Sequence, residues 1–254
     1  MMKKATLILA ILAGFFALIQ QNIIAQETKE EDKRLKNTIH LNITNPIIFG
    51  GRALVLGYER VVNKYQSFSI NAGLTQFPNF NILGSDSLTS KSNQDQSGFN
   101  FSVDYRFYLS RQNKYPAPRG VYIGPYYSYN SFGRQHVWTL KSTSGSTVDL
   151  QSDLNLKVHT VGIEFGYQFV FADRISLDLV LAGPGIAAYD LSASLGANLS
   201  QADREKVFEK INDALAEKFP GYGLVIDEGD FKSTGVEKTT SYGYRYMIQV
   251  GFRF

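Results

Sequence analysis

The sequence predicts an all-β protein: an eight-stranded antiparallel up-and-down transmembrane β-barrel with a helix in its last extracellular loop. Three observations lead to this prediction. Many segments alternate apolar with polar or small residues, the connections between them are short at one end and mostly long at the other, and the chain closes on an alternating segment that finishes with phenylalanine. Alternation with a period of two is typical of strands whose two faces meet different surroundings.

The closing segment, SYGYRYMIQVGFRF at residues 241–254, has the most complete alternation. Every even position from Tyr242 to Phe254 is aromatic or aliphatic, and most odd positions are polar, charged or glycine. In a soluble protein the apolar face of such a strand packs on a core. In a membrane barrel the apolar face meets lipid and the polar face lines the lumen. This segment alone is compatible with both, so the rest of the chain must decide between them.

The N-terminus has the order of a secretory signal peptide, which we predict at residues 1–25. Lys3 and Lys4 precede an apolar run, and small residues follow it. A retained anchor helix is the alternative. The charged residues 26–36 have no periodicity and are expected to form a mobile tail.

The composition excludes several function classes. There is no cysteine, which excludes lipoprotein acylation, disulfides and thiolate chemistry. The formal net charge of +3 falls to +1 when the two lysines of the signal peptide are removed, so nothing indicates a nucleic-acid partner.

Seven further segments precede the closing one and have strand character. They are residues 37–44, 52–61, 67–75, 98–110, 121–130, 159–171 and 175–183. Together the eight segments predict a barrel over residues 37–254. The sequence of the fifth segment, residues 121–130, does not distinguish the side chains that face the lumen from those that face outward.

The predicted connections differ in length at the two ends of the barrel. A turn around Asn63 and Lys64, residues 111–119 and residues 172–174 are short, whereas residues 76–97, 131–158 and 184–240 are long. The link at residues 45–51 is brief. Short turns at one end and long loops at the other are typical of outer-membrane barrels, in which the short turns are periplasmic. A lipocalin-like barrel, with the opposite polarity, is the soluble alternative.

The segments GVYIGPYYSYN, GIEFGYQFVF and GFRF make residues 37–254 similar to a known group. The chain resembles the small eight-stranded, OmpA/OmpX-like barrels in the outer membrane of Gram-negative envelopes. The resemblance implies outer-membrane lipid and, during insertion, the barrel-assembly machinery as partners. It also implies that Phe254, with Phe252 and Tyr246 on the same face, forms the assembly signal. An interfacial anchor is the simpler role for Phe254.

Seven charged residues are predicted to face the lumen: Glu59, Asp104, Arg106, Glu164, Asp178, Arg245 and Arg253. An eight-stranded barrel is only wide enough for side chains, and unpaired charges there are costly. We therefore expect an ion-pair plug, with a gated narrow pore as the alternative. Counted from the short turns, the lower layer holds Glu59, Arg106, Asp178 and Arg253, and the upper layer holds Asp104, Glu164 and Arg245.

Pro125 and Pro184 interrupt predicted strands. Because proline cannot donate to the ladder, we expect a bulge at each, or a position of Pro184 above the membrane. Gly162, Gly166 and Gly183 are candidate sites of strong curvature.

Catalysis is not expected from this sequence. The three histidines have no serine and carboxylate at convincing strand spacing. His40 is predicted in the lumen, His136 in a loop and His159 on the outer surface. No metal-site spacing or phosphate-binding glycine loop is present, so no cofactor is expected.

Residues 199–219 have helical periodicity within the last long loop. Their apolar stripe consists of Val207, Phe208, Ile211, Leu215 and Phe219. The helix either packs on the barrel mouth or faces a protein partner. The expected function is structural or surface interaction, including an accessory role in a larger envelope complex. A narrow porin-like channel for small solutes is the alternative, and a lipid-modifying enzyme ranks third.

Overall fold

The computed structural model describes residues 35–76, 88–141, 147–196 and 234–254, and Lys36–Phe254 forms one compact unit. Its strands are β1 Asn37–Asn42, β2 Val55–Asn63, β3 Gln66–Thr75, β4 Leu88–Tyr108, β5 Gly120–Lys141, β6 Thr147–Phe171, β7 Ile175–Gly196 and β8 Thr234–Arg253, and a short helix, α1, spans Thr44–Phe49. The predicted signal peptide, most of the predicted tail and the predicted helix at 199–219 lie outside the described residues. Within those residues, no helix has the length and apolar character needed to cross a bilayer.

The strands form one closed antiparallel barrel in chain order. Each strand pairs with the next, and β8 closes the barrel against β1 from Thr38↔Arg253 to Asn42↔Gln249. The predicted eight-stranded up-and-down barrel is confirmed, and every predicted strand segment overlaps an observed strand. The predicted helix in the last loop falls in the part of the chain that the structure does not describe.

The predicted strand ends are wrong for β4 to β8, because these strands extend far into the segments predicted as long loops. Residues 88–97, 131–141, 147–158, 184–196 and 234–240 are all strand. Backbone hydrogen bonding between the strands therefore continues beyond the residues that alternate between apolar and polar. His136 is consequently not in a loop but in β5, opposite Asn93 and Ser152.

The link between β1 and β2 contains α1, so the first two strands are shorter at this end than predicted. Asn42 Oδ1 accepts hydrogen bonds from the backbone N–H groups of Thr44 at 2.9 Å and Asn45 at 3.1 Å, which turns the chain out of β1. Thr44 Oγ1 accepts from the backbone N–H of Ile248 at 2.7 Å and ties α1 to β8. The ring of Phe49 lies 5.5 Å from that of Phe132, centroid to centroid.

The three connections at the opposite end are short, as predicted. Lys64 and Tyr65 alone join β2 to β3, and Ala172 to Arg174 join β6 to β7. Ala172 and Asp173 have positive φ angles of 47° and 59°, which tight turns of this kind require. The first and last strands, β1 and β8, are joined at this end by backbone hydrogen bonds between Asn37 and Phe254.

The outward surface is apolar and the inward surface is polar over the lower part of the barrel. In β6, Val161, Ile163 and Phe165 are exposed, whereas Glu164 and Gln168 between and below them are buried. Ile163 keeps 58% of its surface accessible. This arrangement is opposite to that of a soluble barrel, in which the apolar side chains fill the interior.

In β5 and the middle of β7, the polarity of the residues does not indicate which side chains face the lumen. In β5, Tyr122 and Tyr126 point inward and are buried, and Ile123 points outward. In β7 the register shifts between Val180 and Gly183, so buried positions are even below the shift and odd above it.

The two prolines behave differently. The expected bulge at Pro125 is absent, because Pro125 pairs with Ile163 and the described β4–β5 and β5–β6 registers are unshifted around it. Pro184 follows the β7 register shift directly and its side chain is exposed. A bulge therefore lies beside Pro184 and not at Pro125.

Candidate functional site: an ionic cluster in the lumen

Charged side chains from five strands meet in the lumen and form what we call the ionic cluster. Its members are Glu59 of β2, Asp104 and Arg106 of β4, Glu164 of β6, Asp178 of β7 and Arg245 of β8. Each stands at an inward position of its strand, so strand alternation alone orients it toward the barrel axis.

Arg106 is the centre of the ionic cluster and is completely buried. Its Nε lies 2.7 Å from Asp104 Oδ2, and its Nη1 lies 2.9 Å from Asp178 Oδ2. Glu59 at 3.6 Å and Glu164 at 3.7 Å complete its carboxylate neighbours. Arg106 therefore joins the two predicted layers, because it contacts carboxylates of both.

Arg245 covers the ionic cluster on the side away from the short turns. Its Nη1 lies 3.1 Å from Glu164 Oε2, and its Nη2 lies 3.3 Å from Asp104 Oδ1. About 10% of its side chain is accessible, in contrast to the fully buried Arg106. The two arginines share Asp104 and Glu164, so the charges form one connected network.

Each arginine also lies on an aromatic ring that sequence reasoning did not assign to the lumen. The guanidinium carbon of Arg106 lies 4.6 Å from the Tyr122 ring centroid, and that of Arg245 lies 5.1 Å from the Tyr126 ring centroid. The Tyr122 hydroxyl donates to Asp178 Oδ1 at 2.8 Å. Guanidinium groups stack favourably on aromatic faces, so the two tyrosines orient the cations.

Four further side chains surround Glu59 at the lower end of the ionic cluster. Ser67 Oγ donates to Glu59 Oε1 at 2.6 Å, and Gln168 Nε2 donates to Oε2 at 3.0 Å. His40 Nε2 lies 3.2 Å from Oε2, and the Tyr108 hydroxyl lies 3.0 Å from Oε1. The predicted lumen position of His40 therefore agrees with the structure, whereas its contact with Glu59 does not follow from the sequence pattern.

The acids outnumber the arginines in the ionic cluster, with four carboxylates against two guanidinium groups. Arg253, predicted as a further member, is instead directed toward the short-turn end, where its Nη1 donates to the backbone oxygen of Asp173 at 3.0 Å. Neutral hydrogen-bond donors stabilise part of the excess negative charge, as Ser67 and Gln168 do at Glu59. Neither oxygen of Glu164 receives a well-aligned hydrogen bond from a described residue, so this carboxylate depends on the nearby arginine charges.

Glycines make room for the inward tyrosines. A Cβ on Gly166 would lie 2.3 Å from the Tyr122 ring, and one on Gly162 would lie 2.7 Å from the Tyr126 ring. The Tyr126 hydroxyl also donates to the backbone oxygen of Gly183 at 2.6 Å. The three glycines singled out in the sequence therefore lie against the two tyrosines that stack on the arginines.

Substituting Gly166 by alanine is expected to lower the free energy of unfolding by about 1–3 kcal/mol, because the buried Tyr122 ring cannot move away without strain. Urea titration in lipid vesicles, followed by the folded band on unheated gels, measures the change. Gly51→Ala is the matched control, since a Cβ there meets nothing within 4 Å. An equal loss in both variants, or no loss at Gly166, would contradict the packing role.

The other predicted positions lie on the outer surface or outside the described residues. Tyr246, Phe252 and Phe254 all point outward and are exposed. His159 is exposed as well, with its Nδ1 2.9 Å from the Tyr127 hydroxyl. The stripe on the predicted partner helix cannot be placed, because residues 197–233 are outside the described part of the chain. No group of three or more potential metal ligands occurs among the described residues.

Among known proteins, the chain is similar to several solved structures. No family model and no curated protein matches the chain. The crystal structure of Acinetobacter baumannii CarO2 is similar over 86% of this chain and 97% of its own, with 10% identity and a TM-score of 0.41.

Two further structures are comparable. A major outer membrane protein from Thermus thermophilus matches over 86% of this chain and 98% of its own, with 10% identity and a TM-score of 0.35. Acinetobacter baumannii CarO matches over 87% and 98%, with 10% identity and a TM-score of 0.38. At this level of similarity, the likenesses assign no function to the chain.

Proposed function

We propose that the chain is a non-enzymatic outer-membrane barrel with a closed lumen and a structural or surface-interaction role. It is exported with a cleaved signal peptide and inserted from the periplasm, with Phe254 as its assembly signal. One observation carries the proposal: the charged side chains are buried inside the barrel, while an apolar belt covers its outside. That distribution is stable when hydrocarbon surrounds the barrel and costly when water does.

The height of the apolar belt supports membrane insertion. In β6 the outward apolar residues span 161–171, and this length agrees with the roughly 9–11 residues that cross a bilayer in a tilted strand. Above it the outward positions are polar, with Lys157 paired to Ser131 on one side and Asp190 on the other. The apolar belt therefore ends at the same row of paired residues on β5, β6 and β7.

Refolding into lipid vesicles tests the membrane part of the proposal. The mature chain is expected to enter vesicles, to resist protease and to migrate differently on gels before and after heating. A mature chain that is monodisperse and folded in buffer without detergent would contradict the proposal.

The surface-interaction role is supported by the strands that continue above the belt. Residues 147–158 of β6 alone extend about 40 Å along the strand at 3.3 Å per residue. β5 and β7 pair with this extension, so a sheet projects beyond the apolar surface. Such a sheet offers a protein partner a rigid surface, which suits an accessory subunit of an envelope complex.

A narrow channel is the second candidate, because charged side chains fill the lumen and two of the carboxylates, Asp104 and Glu164, are shared between Arg106 and Arg245. In planar bilayers, we expect the wild-type protein and Arg245→Gln to show no resolvable conductance, since Arg106 still fills the lumen below Arg245. The matched control is Arg60→Gln, an exposed arginine outside the lumen. Conductance in the wild type that rises in Arg245→Gln or Glu164→Gln, but not in Arg60→Gln, would favour the channel.

A further inference from the structure

The short-turn end of the barrel carries an excess of positive charge. Its exposed or half-buried cations, which we call the basic collar, are Lys36, Arg60, Lys64, Arg111, Lys114, Arg119 and Arg174. Among the described residues at this end, Asp173 is the single exposed acid. The opposite end lacks this imbalance: where side chains are described there, Arg52 and Lys157 are accompanied by Asp153 and Asp190.

The basic collar surrounds the barrel and is not confined to one side. Lys36 precedes β1, Arg60 lies near the end of β2, Lys64 is in the turn between β2 and β3, and Arg174 is in the turn between β6 and β7. The remaining three occupy the connection between β4 and β5. Arg60 donates to Asn37 Oδ1 at 3.1 Å and Arg119 donates to the backbone oxygen of Val170, so the partners of these two cations are neutral oxygens and not carboxylates.

The cations of the basic collar lie beside aromatic rings at the edge of the apolar belt. The guanidinium carbon of Arg119 lies 4.3 Å from the Tyr115 ring centroid, and that of Arg174 lies 5.9 Å from the Phe252 ring centroid. Arg60 stands opposite Phe68 on the outward face. Aromatic rings at the edge of a membrane protein settle at the level of the lipid headgroups. The collar is therefore at the depth of the lipid phosphates.

We propose that the basic collar binds anionic phospholipid headgroups of the periplasmic leaflet, a proposal that rests on the membrane insertion proposed above. Four of the seven cations are arginines, whose planar guanidinium groups donate two parallel hydrogen bonds to phosphate oxygens. A phosphatidylglycerol headgroup carries its negative charge on such a phosphate. A zwitterionic headgroup carries an ammonium or choline group as well, which the collar repels.

The experiment measures lipid selectivity of the folded, full-length mature protein. The protein is refolded into phosphatidylcholine vesicles that contain a trace of spin-labelled phosphatidylglycerol or spin-labelled phosphatidylcholine. Electron paramagnetic resonance reports the fraction of each label immobilised at the protein surface. The expected preference for phosphatidylglycerol is roughly two- to fivefold at low salt, because cations at a membrane surface attract anionic lipid, and salt screening should reduce it toward one.

The collar variant is Arg60→Gln with Arg174→Gln, and the control is Arg52→Gln with Lys157→Gln, which removes the same charge from the other end. We expect the collar variant to lose at least half of the preference and the control to keep it. Surface substitutions of this kind change stability little, so both variants should fold. A parallel sedimentation assay with purified cell-wall sacculi tests a cell-wall partner.

Each other outcome overturns the proposal in a distinguishable way. Failure of the wild type to enter vesicles removes the proposed function and this inference together. Entry without selectivity, or an equal loss in both variants, removes only the inference. If the collar variant loses sacculus binding and keeps its lipid preference, the collar serves the cell wall instead.

Discussion

Replacing Arg106 by methionine is expected to lower the free energy of unfolding by about 3–5 kcal/mol, the usual cost of removing one partner from a buried ion pair. Arg106 is the one cation within 4 Å of all four carboxylates of the ionic cluster among the described residues. Without it, Asp178 and Glu59 lose their close contacts with Arg106, and Asp104 keeps its contact with Arg245. The closed barrel leaves little water to solvate them.

Urea titration in vesicles measures this loss, with the folded band on unheated gels as the signal. The informative control combines Arg106→Met with Asp104→Asn and Asp178→Asn, which removes two of the stranded charges along with the arginine. We expect this triple variant to recover much of the stability lost by Arg106→Met. If Arg106→Met is as stable as the wild type, or if the triple variant is no better, the arginine does not hold the lumen together.

Ile248→Arg is expected to cost about 2–4 kcal/mol of folding free energy in vesicles, because it places a charge on the lipid face near the middle of the bilayer. Ile248 lies midway along the outward row of β8 that runs from Tyr242 to Phe254, and 39% of its surface is accessible. No inward side chain is disturbed, since the position alternates away from the lumen.

Tyr242→Arg is the matched control on the same strand and face. Tyr242 is 74% accessible and lies at the upper end of the row, where a charge reaches the headgroups, so the expected cost is about 0–1 kcal/mol. The difference between the two variants reports the depth of the belt. Equal and small costs at both positions would show that water, not hydrocarbon, surrounds the barrel.

Local alternation was sufficient to predict the number of strands, their up-and-down order and the direction of most charged side chains. Asp104 and Glu164 face inward because each lies between two outward apolar or aromatic residues, and Glu59 follows the outward Tyr58, relationships that the adjacent residues define. The lumen position of His40 was predictable for the same reason. The short turns were predictable because proline, asparagine and charged residues interrupt the apolar pattern there.

Other features could not be predicted, because they depend on pairing between strands. Tyr122 and Tyr126 are as aromatic as the outward residues of β5, and their inward direction follows from glycines on the neighbouring β6 that accept their rings. The parity change in β7 follows from its register shift against β6 and β8. The strand extensions beyond the belt continue because partner strands supply hydrogen bonds, whatever the side chains do.

The amino-acid order was enough to establish a barrel with apolar residues outside and charges inside, since a period of two sorts side chains strand by strand. Which charges meet depends on how the barrel closes. Arg106 reaches carboxylates on its own strand and on three other strands because closure brings β2, β6 and β7 within one side-chain length of β4. Distance across a lumen is a property of the closed ring, and no single strand encodes it.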